Sequence, residues 1–127
     1  MRELPANGVY DIVLAASVMQ YIEDWQGSAA RLAQYNAPYL LFADMFVGEF
    51  PSYMTLQAYY GSLVRHWMFN DYEFIAEVER HSYRLALRST CDARVLGTFG
   101  PLPMDNFPPD KRIPHSSHLL FRRVVSA

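Results

Sequence analysis

Two short apolar runs in the first third of the chain have the pattern of strands buried on both faces. Residues 9–16 are almost all apolar after Asp11, with no alternation of apolar and polar positions, and residues 39–43 form a second such run. Parallel strands that are covered by helices on both faces of a sheet have this continuous pattern. The sequence therefore predicts two parallel strands, the second ending at Asp44.

The segment between these runs predicts a loop and a helix. Residues 17–24 form the loop, and the Asp24 carboxylate can cap a helix by accepting a hydrogen bond from a first-turn amide. Apolar residues recur at helical spacing over 25–36, and Pro38 stops the helix because proline disfavours helical geometry in the preceding residue. Strand, helix and strand make a βαβ unit with a right-handed crossover.

A second helix is predicted over 70–81. Asn70 and Glu73 have the spacing of a capping box, with asparagine in the usual place of serine or threonine. Phe69 and Phe74 flank this box as a hydrophobic staple. The apolar stripe of this helix is expected to be buried.

The segment 45–67 is less regular than its neighbours. Glycine and proline interrupt it, and aromatic residues are dense. Residues 55–60 are expected to form a short helix.

Two further strands are predicted in the last third of the chain. Residues 83–90 alternate between apolar and polar positions, and residues 118–124 are apolar at their centre. Between them, residues 91–116 form a long loop rich in proline and glycine, and such loops are usually functional or mobile. Because no helix connects the two strands, they pair most simply as antiparallel neighbours.

The composition excludes several classes of protein. A hydrophobic content of 51% is too high for a disordered chain, and a net charge of -2 gives no basic surface for nucleic acid. Lys111-Arg112 and Arg122-Arg123 are short clusters typical of a solvated rim rather than a phosphate site. Cys91 is the single cysteine, and the sequence shows neither a signal peptide nor an apolar run that could cross a bilayer. We therefore expect a cytoplasmic protein without a nucleic-acid or membrane partner.

In their order along the chain, these segments resemble the C-terminal half of a class I S-adenosylmethionine-dependent methyltransferase. The corresponding parts are 10–24 (fourth strand and turn), 25–36 (next helix), 39–44 (fifth strand), 70–81 (helix before the sixth strand), and 83–90 with 118–124 (final antiparallel pair). A bacterial group of methyltransferases of unsettled substrate is similar in a narrower set of positions: Thr55-Leu-Gln57, Tyr59-Tyr60-Gly61, Trp67 and 70–74. The resemblance covers most of the chain after residue 8.

The resemblance extends to only one part of the family's fold. The first three strands, the glycine-rich loop and the acid that holds the ribose hydroxyls have no counterpart, since 97–100 follows no βα strand and opens no helix. The resemblance implies a single partial domain over 1–127 with an α/β fold. We expect a partial Rossmann-like sheet of about four strands in the spatial order first, second, fourth, third, with a terminal antiparallel pair and flanking helices.

An open strand edge implies a partner. In a complete relative the first strand would be central, whereas here its long edge at 11–16 has no neighbour. A flat apolar edge is unsafe in water, so the missing N-terminal half or a second copy of this chain should cover it. S-adenosylmethionine would be the cofactor only in the complete protein or complex, and the aromatic segment suggests a small-molecule or carbohydrate-like acceptor.

The resemblance also gives candidate binding residues. Ala16, Ser17 and Val18 lie where the family's turn approaches the methionine end of the cofactor, although a simple strand-to-loop turn explains them equally well. The substrate-binding candidates lie where some relatives keep an orienting group or in the segment that covers the substrate pocket: Gln20, Tyr21, Gln57, Tyr59, Tyr60 and His66. Packing at the rim of the core is the alternative for these side chains. No catalytic residue is assigned, because glutamine cannot act as a base at neutral pH.

Other patterns lack the partners that their chemistry needs. His115 and His118 have no third ligand at a suitable spacing, so no metal site is predicted. Ser17 and Cys91 have neither a nucleophile elbow nor a suitable histidine arrangement.

The leading interpretation is the substrate-side half of an S-adenosylmethionine-dependent methyltransferase. It would act on a small-molecule acceptor and be inactive without the missing glycine-rich half. The alternative is a non-catalytic protein-interaction module derived from that fold, and a third interpretation is a remnant without function.

Overall fold

A computed structural model describes residues 5, 8–92, 94–95 and 98–125 of the 127-residue chain. Gly97, which begins the glycine-containing stretch 97–100, lies outside the described residues. The elements are, in chain order, β1 (Ile12–Ala16), a 3-10 turn (Met19–Tyr21), α1 (Trp25–Ala33), β2 (Tyr39–Met45), β3 (Val47–Gly48), β4 (Tyr53–Tyr59), β5 (Ser62–Asn70), α2 (Asp71–Glu79), β6 (Tyr83–Thr90), β7 (Arg94–Val95), β8 (Thr98–Phe99), a second 3-10 turn (Pro109–Lys111) and β9 (Ser117–Arg123). The fold is α/β, as the sequence predicts.

The main sheet has four strands in the order β1-β2-β9-β6. β1 and β2 are parallel, and β9 is antiparallel to both of its neighbours. This arrangement confirms the predicted order of the strands and the terminal antiparallel pair. β1 lies at the edge of the sheet, where β2 is its one neighbour among the described residues.

Both helices pack on one face of this sheet. Phe42 of β2 and Phe121 of β9 are fully buried on that face. The ring of Phe74 on α2 lies 5.0 Å from Phe42 and 5.3 Å from Trp25 on α1, measured between ring centroids. This aromatic cluster joins the two helices to the sheet, because large aromatic side chains bury much apolar area.

The opposite face of the sheet is largely open. Ile12 and Leu14 on β1 are 48% and 58% exposed, and Tyr39 on β2 is 42% exposed. The prediction that these strands are covered on both faces is therefore wrong for the described residues. Both α1 and α2 pack on the face that carries Phe42 and Phe121, and neither helix covers the face that carries Ile12 and Leu14. The register places Leu14 beside Leu41 and Leu41 beside Leu120, so leucines form a row across three strands.

The first elements differ from their predicted bounds by a few residues. β1 begins at Ile12 rather than at residue 9. The Asp24 cap is confirmed, because the N–H of Gly27 donates to its Oδ1 at 3.1 Å. α1 ends at Ala33, and Asn36, which the prediction included, has left helical geometry with a φ of 55°.

The helix α2 has its predicted cap and one unpredicted contact. The N–H of Glu73 donates to Asn70 Oδ1 at 2.9 Å, and the rings of Phe69 and Phe74 lie 5.3 Å apart, which confirms the cap and the staple. In a capping box the Glu73 side chain would accept a hydrogen bond from the Asn70 N–H. Here Ser52 stands between them, since its Oγ accepts from the Asn70 N–H at 2.8 Å and donates to Glu73 Oε2 at 3.0 Å. This serine links the start of the helix to the segment before β4.

The predicted short helix at 55–60 is wrong, because these residues belong to a β-hairpin. β4 pairs antiparallel with β5 along its whole length. The turn residues Tyr60 and Gly61 have φ values of 47° and 80°. Two consecutive positive φ angles are typical of the two-residue type I′ turn, whose twist matches that of the flanking strands. The short β3 pairs with β5 on its other side, in the order β3-β5-β4.

The long connection between β6 and β9 packs against the hairpin. β6 spans its predicted residues, whereas β9 begins at Ser117. Met104 and Ile113 of the connection are buried with Phe50 and Met68 in a second, smaller core. This part of the predicted loop is therefore fixed in place by apolar contacts.

Candidate functional site

A cavity of about 870 Å³ lies at the carboxyl edge of the main sheet. Asp44, near the end of β2, lines it together with residues of the hairpin and of the 100–116 segment. Open α/β sheets bind ligands beyond the carboxyl ends of their strands, and small-molecule sites usually measure about 300–1,000 Å³. The position and size of the cavity identify it as the candidate site.

Asp44 joins three segments at this edge. Its Oδ2 accepts a hydrogen bond from Ser17 Oγ, after β1, at 2.6 Å, and its Oδ1 accepts from Ser116 Oγ, before β9, at 2.5 Å. Its backbone N–H donates to His118 Nδ1 at 3.1 Å. The carboxylate therefore fixes the turn after β1 relative to the end of the long connection.

The sequence pattern marks Asp44 only as the end of a strand. Its φ of 57° is left-handed, a conformation that aspartate and asparagine tolerate better than most residues. An acidic residue directly after a buried parallel strand is the one local signal that marks this position. Ser116, which is 4% exposed, had no such signal.

Three predicted substrate-binding residues lie together, and two of them line the cavity. The Tyr21 hydroxyl donates to Gln57 Oε1 at 2.8 Å. The Tyr21 ring lies edge-on to the His66 imidazole at 5.4 Å, and Phe46 contacts the same imidazole at 4.6 Å. Gln57 and His66 both line the cavity. The hairpin and the turn after β1 are thus joined through side chains of the candidate site.

His66 is the most buried of these residues. It is 4% exposed, and its Nδ1 has no hydrogen-bond partner among the described residues. Burial lowers the pKa of His66 more than its neighbours raise it, so the imidazole is neutral at pH 7. Burial also raises the pKa of the Tyr21 hydroxyl, which stays protonated. The Tyr21 and His66 side chains are therefore both uncharged at pH 7.

The predicted cofactor-binding turn lies at the carboxyl end of β1, outside the lining of the cavity. Ala16 and Ser17 are exposed, and Val18 is half-buried against the core. Ser17 has a φ of 53°, and its N–H donates to the carbonyl of Ala43 at 3.0 Å. Small, exposed side chains at this point leave the backbone accessible from solvent.

The remaining predicted residues have different surroundings. Gln20 is 2% exposed, and its Oε1 has no partner among the described residues, so it lies in the interior rather than at the surface of the cavity. Tyr59 and Tyr60 line the cavity mouth, with their rings 4.5 Å apart, and are 55% and 92% exposed. These two rings are available to a ligand that enters from solvent.

The apolar part of the lining comes largely from residues that sequence analysis did not single out. Phe46 and Met68 face the cavity from the segment after β2 and from β5, and Leu102, Met104 and Phe107 face it from the long connection. No local pattern marks them, because they meet only when the connection folds over the hairpin. Within the described ranges no helix has the length and apolar character to cross a membrane, and no three acidic, histidine or cysteine side chains form a metal site.

Comparison with known proteins shows the fold of this chain. No protein-family model matches it, and no curated protein matches it. A solved structure of a protein from Listeria monocytogenes, proposed to be an S-adenosylmethionine-dependent methyltransferase, matches it with a TM-score of 0.60 and 12% sequence identity. The match covers 92% of this chain and 62% of the Listeria protein. The chain therefore has the fold of part of that protein.

Proposed function

We propose that this chain forms the substrate-side part of an S-adenosylmethionine-dependent methyltransferase. The shared fold supports this proposal, and the match leaves more than a third of the Listeria protein without a counterpart. The observation that carries it is the cavity of about 870 Å³ at the carboxyl edge of a sheet whose β1 edge has no second neighbour among the described residues. A cofactor cleft in such a sheet would have one wall on this chain.

The turn after β1 would hold the methionine end of the cofactor. The residues fit this role, since Ala16 and Ser17 are small and exposed and the bond from Ser17 to Asp44 holds the turn in place. S-adenosylmethionine supplies a methyl group activated on a sulfonium when it is bound. Methyl transfer mainly requires in-line positioning of the acceptor, and that positioning is the part of the task this chain would perform.

The methyl acceptor would be a small molecule with a largely apolar body. Phe46, Met68 and Phe107 supply apolar walls, and Gln57 and His66 supply polar atoms. Small-molecule sites typically combine such walls with a few polar groups that orient the ligand.

The open edge of β1 and the exposed face beside it would bind the missing glycine-rich half. Ile12 and Leu14 point to that face and stay 48% and 58% exposed. Unpaired edge strands readily pair with another chain unless charge or proline blocks them. Without that half, a second copy of this chain would occupy the same edge.

The isolated chain is expected to self-associate through this edge, and Leu14→Lys is expected to make it monomeric. A lysine at an exposed edge position opposes strand pairing because its charge cannot be buried. Light scattering and sedimentation at several protein concentrations would measure the change.

The matched control for this variant is Leu63→Lys. Leu63 lies on β5 of the hairpin and is 69% exposed, comparable to Leu14. We expect Leu63→Lys to leave the association unchanged. A monodisperse wild-type monomer, or a monomer produced by Leu63→Lys but not by Leu14→Lys, would contradict the proposed edge.

Cofactor binding tests the proposed function. Titration calorimetry should show no measurable binding of S-adenosylmethionine to this chain alone, because it supplies one wall of the cleft. Co-expression with a segment encoded upstream that carries a strand, a glycine-rich turn and a helix should give micromolar binding. Micromolar binding by the isolated chain would overturn the proposed division of the site, and absence of binding by the complex would overturn the function.

The row of leucines on the open face of the sheet also supports a second function, a non-catalytic module that binds a protein partner. Leu14, Leu41 and Leu120 would then form part of a permanent interface. A complex that forms through this face but never binds S-adenosylmethionine would favour the module over the enzyme.

A further inference from the structure

We propose that the cavity at the carboxyl edge binds a small organic ammonium ion with an apolar body, whose N–H groups donate hydrogen bonds to the Asp44 carboxylate. This inference deepens the proposed function by naming the chemical class of the ligand, and it rests on that function only in calling the ligand a methyl acceptor. The ammonium group is assigned to recognition and not to the position that receives the methyl group. The binding itself requires no cofactor.

The Asp44 carboxylate is a negative charge without a cationic partner. Asp44 is the one aspartate, glutamate, lysine or arginine among the residues that line the cavity. The ion pairs between side chains of the described residues lie elsewhere, at Glu77 and at Asp71. Ser17 and Ser116 donate hydrogen bonds to the carboxylate, but a hydroxyl group does not neutralise its charge. A cationic ligand would supply the partner that a half-buried charge otherwise finds within the protein.

The carboxylate is held in place and still has room for further hydrogen bonds. Each of its oxygens accepts one bond, Oδ2 from Ser17 and Oδ1 from Ser116. A carboxylate offers about four acceptor positions, so one position per oxygen remains. Asp44 is half-buried rather than buried, so part of its surface stays accessible at the cavity. A ligand would therefore meet a carboxylate that is already oriented, which lowers the entropic cost of binding.

The charge of Asp44 acts on neighbouring side chains of the site. Burial is the main reason that the pKa of His66 is lowered and that the pKa of Tyr21 is raised, and the negative charge of Asp44 raises the pKa of both groups. Both side chains stay uncharged at pH 7, so neither competes with a cation for the carboxylate. Charges interact more strongly in a protein than in bulk water, because water screens them less there. An ammonium ion is therefore attracted to this part of the cavity, and an anion such as a phosphate or a carboxylate is repelled.

Aromatic rings line the mouth and the interior of the cavity. Tyr59 and Tyr60 at the mouth are 55% and 92% exposed, and their rings are nearly perpendicular with centroids 4.5 Å apart. Phe46 and Phe107 line the cavity as well. The faces of aromatic rings attract cations, and the same rings pack against an apolar body. This combination favours an organic ammonium ion over an inorganic cation, which has no apolar body.

The test uses the full chain without cofactor and three probes that share one ring: benzylamine, benzyl alcohol and benzoate. At pH 8 benzylamine is an ammonium ion, benzyl alcohol is neutral and benzoate is an anion, whereas ordinary imidazole groups are neutral. Titration calorimetry should show benzylamine binding about tenfold more tightly than benzyl alcohol, because a hydrogen bond between charged groups is about twice as strong as one between neutral groups. Benzoate should show no measurable binding. Equal affinities of benzylamine and benzyl alcohol, tighter binding of benzoate, or no binding of benzylamine would overturn the proposal.

Two variants assign the preference to Asp44. Asp44→Asn removes the charge and keeps an acceptor oxygen and nearly the same shape, so benzylamine should bind no more tightly than benzyl alcohol. Asp110→Asn is the matched control, because Asp110 is an exposed aspartate outside the lining of this cavity, and this variant should retain the preference. Persistence of the preference in Asp44→Asn, or its loss in Asp110→Asn, would overturn the role of Asp44.

A direct measurement keeps the test decisive if Asp44→Asn fails to fold. In the wild-type chain, benzylamine should shift the carboxyl carbon resonance of Asp44, and benzyl alcohol should shift it less. The same shift with both probes would overturn the proposal. Because these experiments contain no cofactor, a failed S-adenosylmethionine titration would count against the proposed function and leave this result unchanged.

Discussion

Replacing Phe74 with alanine is expected to lower the free energy of unfolding by about 4 kcal/mol. Phe74 is fully buried, and its ring lies 5.0 Å from Phe42 and 5.3 Å from both Trp25 and Phe69. Alanine would leave a cavity where both helices meet the sheet. A loss of this size is a large part of the total stability of a small domain, which is about 5–15 kcal/mol.

Urea unfolding followed by circular dichroism would measure this change. Phe74→Leu retains most of the apolar volume and should lower the free energy of unfolding by about 1 kcal/mol. This variant provides a measurable change if the alanine variant does not fold. Tyr72→Ala on the same helix is the control, because Tyr72 is 79% exposed and should change stability by less than about 0.5 kcal/mol. Equal stability of Phe74→Ala and Tyr72→Ala would show that α2 is not anchored in the core as described.

The helix that carries Phe74 was predictable because its signals are local. Asn70 and Glu73 are three residues apart, and the structure has the hydrogen bond that this spacing predicts. The antiparallel pairing of β6 with β9 also followed from a local pattern, since the connection between them contains no helix, whereas the position of β9 beside β2 was implied by the family resemblance. The helix and the pairing of β6 with β9 required no knowledge of distant contacts.

The hairpin was not predicted, because pairing rather than local preference decides its conformation. Residues 55–59 pair with residues of β5, and an isolated segment of this length carries no information about that pairing. Tyr60 and Gly61 were nevertheless a usable signal. A glycine in a two-residue break between apolar stretches indicates a tight turn and not only an interruption of the pattern.

The wrongly predicted burial of β1 has a different cause. Its apolar residues were interpreted as covered on both faces, yet Ile12 and Leu14 are 48% and 58% exposed. An apolar strand pattern indicates that the strand is suited to an apolar environment. It does not indicate whether the same chain or another chain provides that environment. The discrepancy therefore supports the proposal that another polypeptide covers this face.

The candidate site was predicted in part. The resemblance identified Tyr21, Gln57 and His66 as substrate-binding candidates, and the structure brings these three side chains together. The contact between Asp44 and Ser116 spans 72 residues, so no local pattern could indicate it. Long-range hydrogen bonds between polar residues carry no periodicity that sequence analysis can detect.

Replacing Asp44 with alanine is expected to lower the free energy of unfolding by about 3 kcal/mol. The substitution removes the acceptor of two hydroxyl groups and leaves the Ser116 hydroxyl, in a residue 4% exposed, without its partner. Alanine also tolerates the φ of 57° less well than aspartate, which adds about 1 kcal/mol to the loss. Chemical denaturation of the full chain would measure the difference.

Asp44→Asn separates these contributions, because asparagine tolerates the same φ and retains one acceptor oxygen. We expect this variant to have a free energy of unfolding about 1 kcal/mol lower than that of the wild type, which is close to the contribution of a single hydrogen bond. Ser17→Ala removes only the exposed partner of Asp44. It should lower the free energy of unfolding less than Asp44→Ala does, because water can replace the hydrogen bond of an exposed hydroxyl group. If Asp44→Ala is no less stable than Ser17→Ala, the carboxylate does not hold the turn after β1 against the long connection. The proposed cofactor turn and the cavity would then lack their shared support.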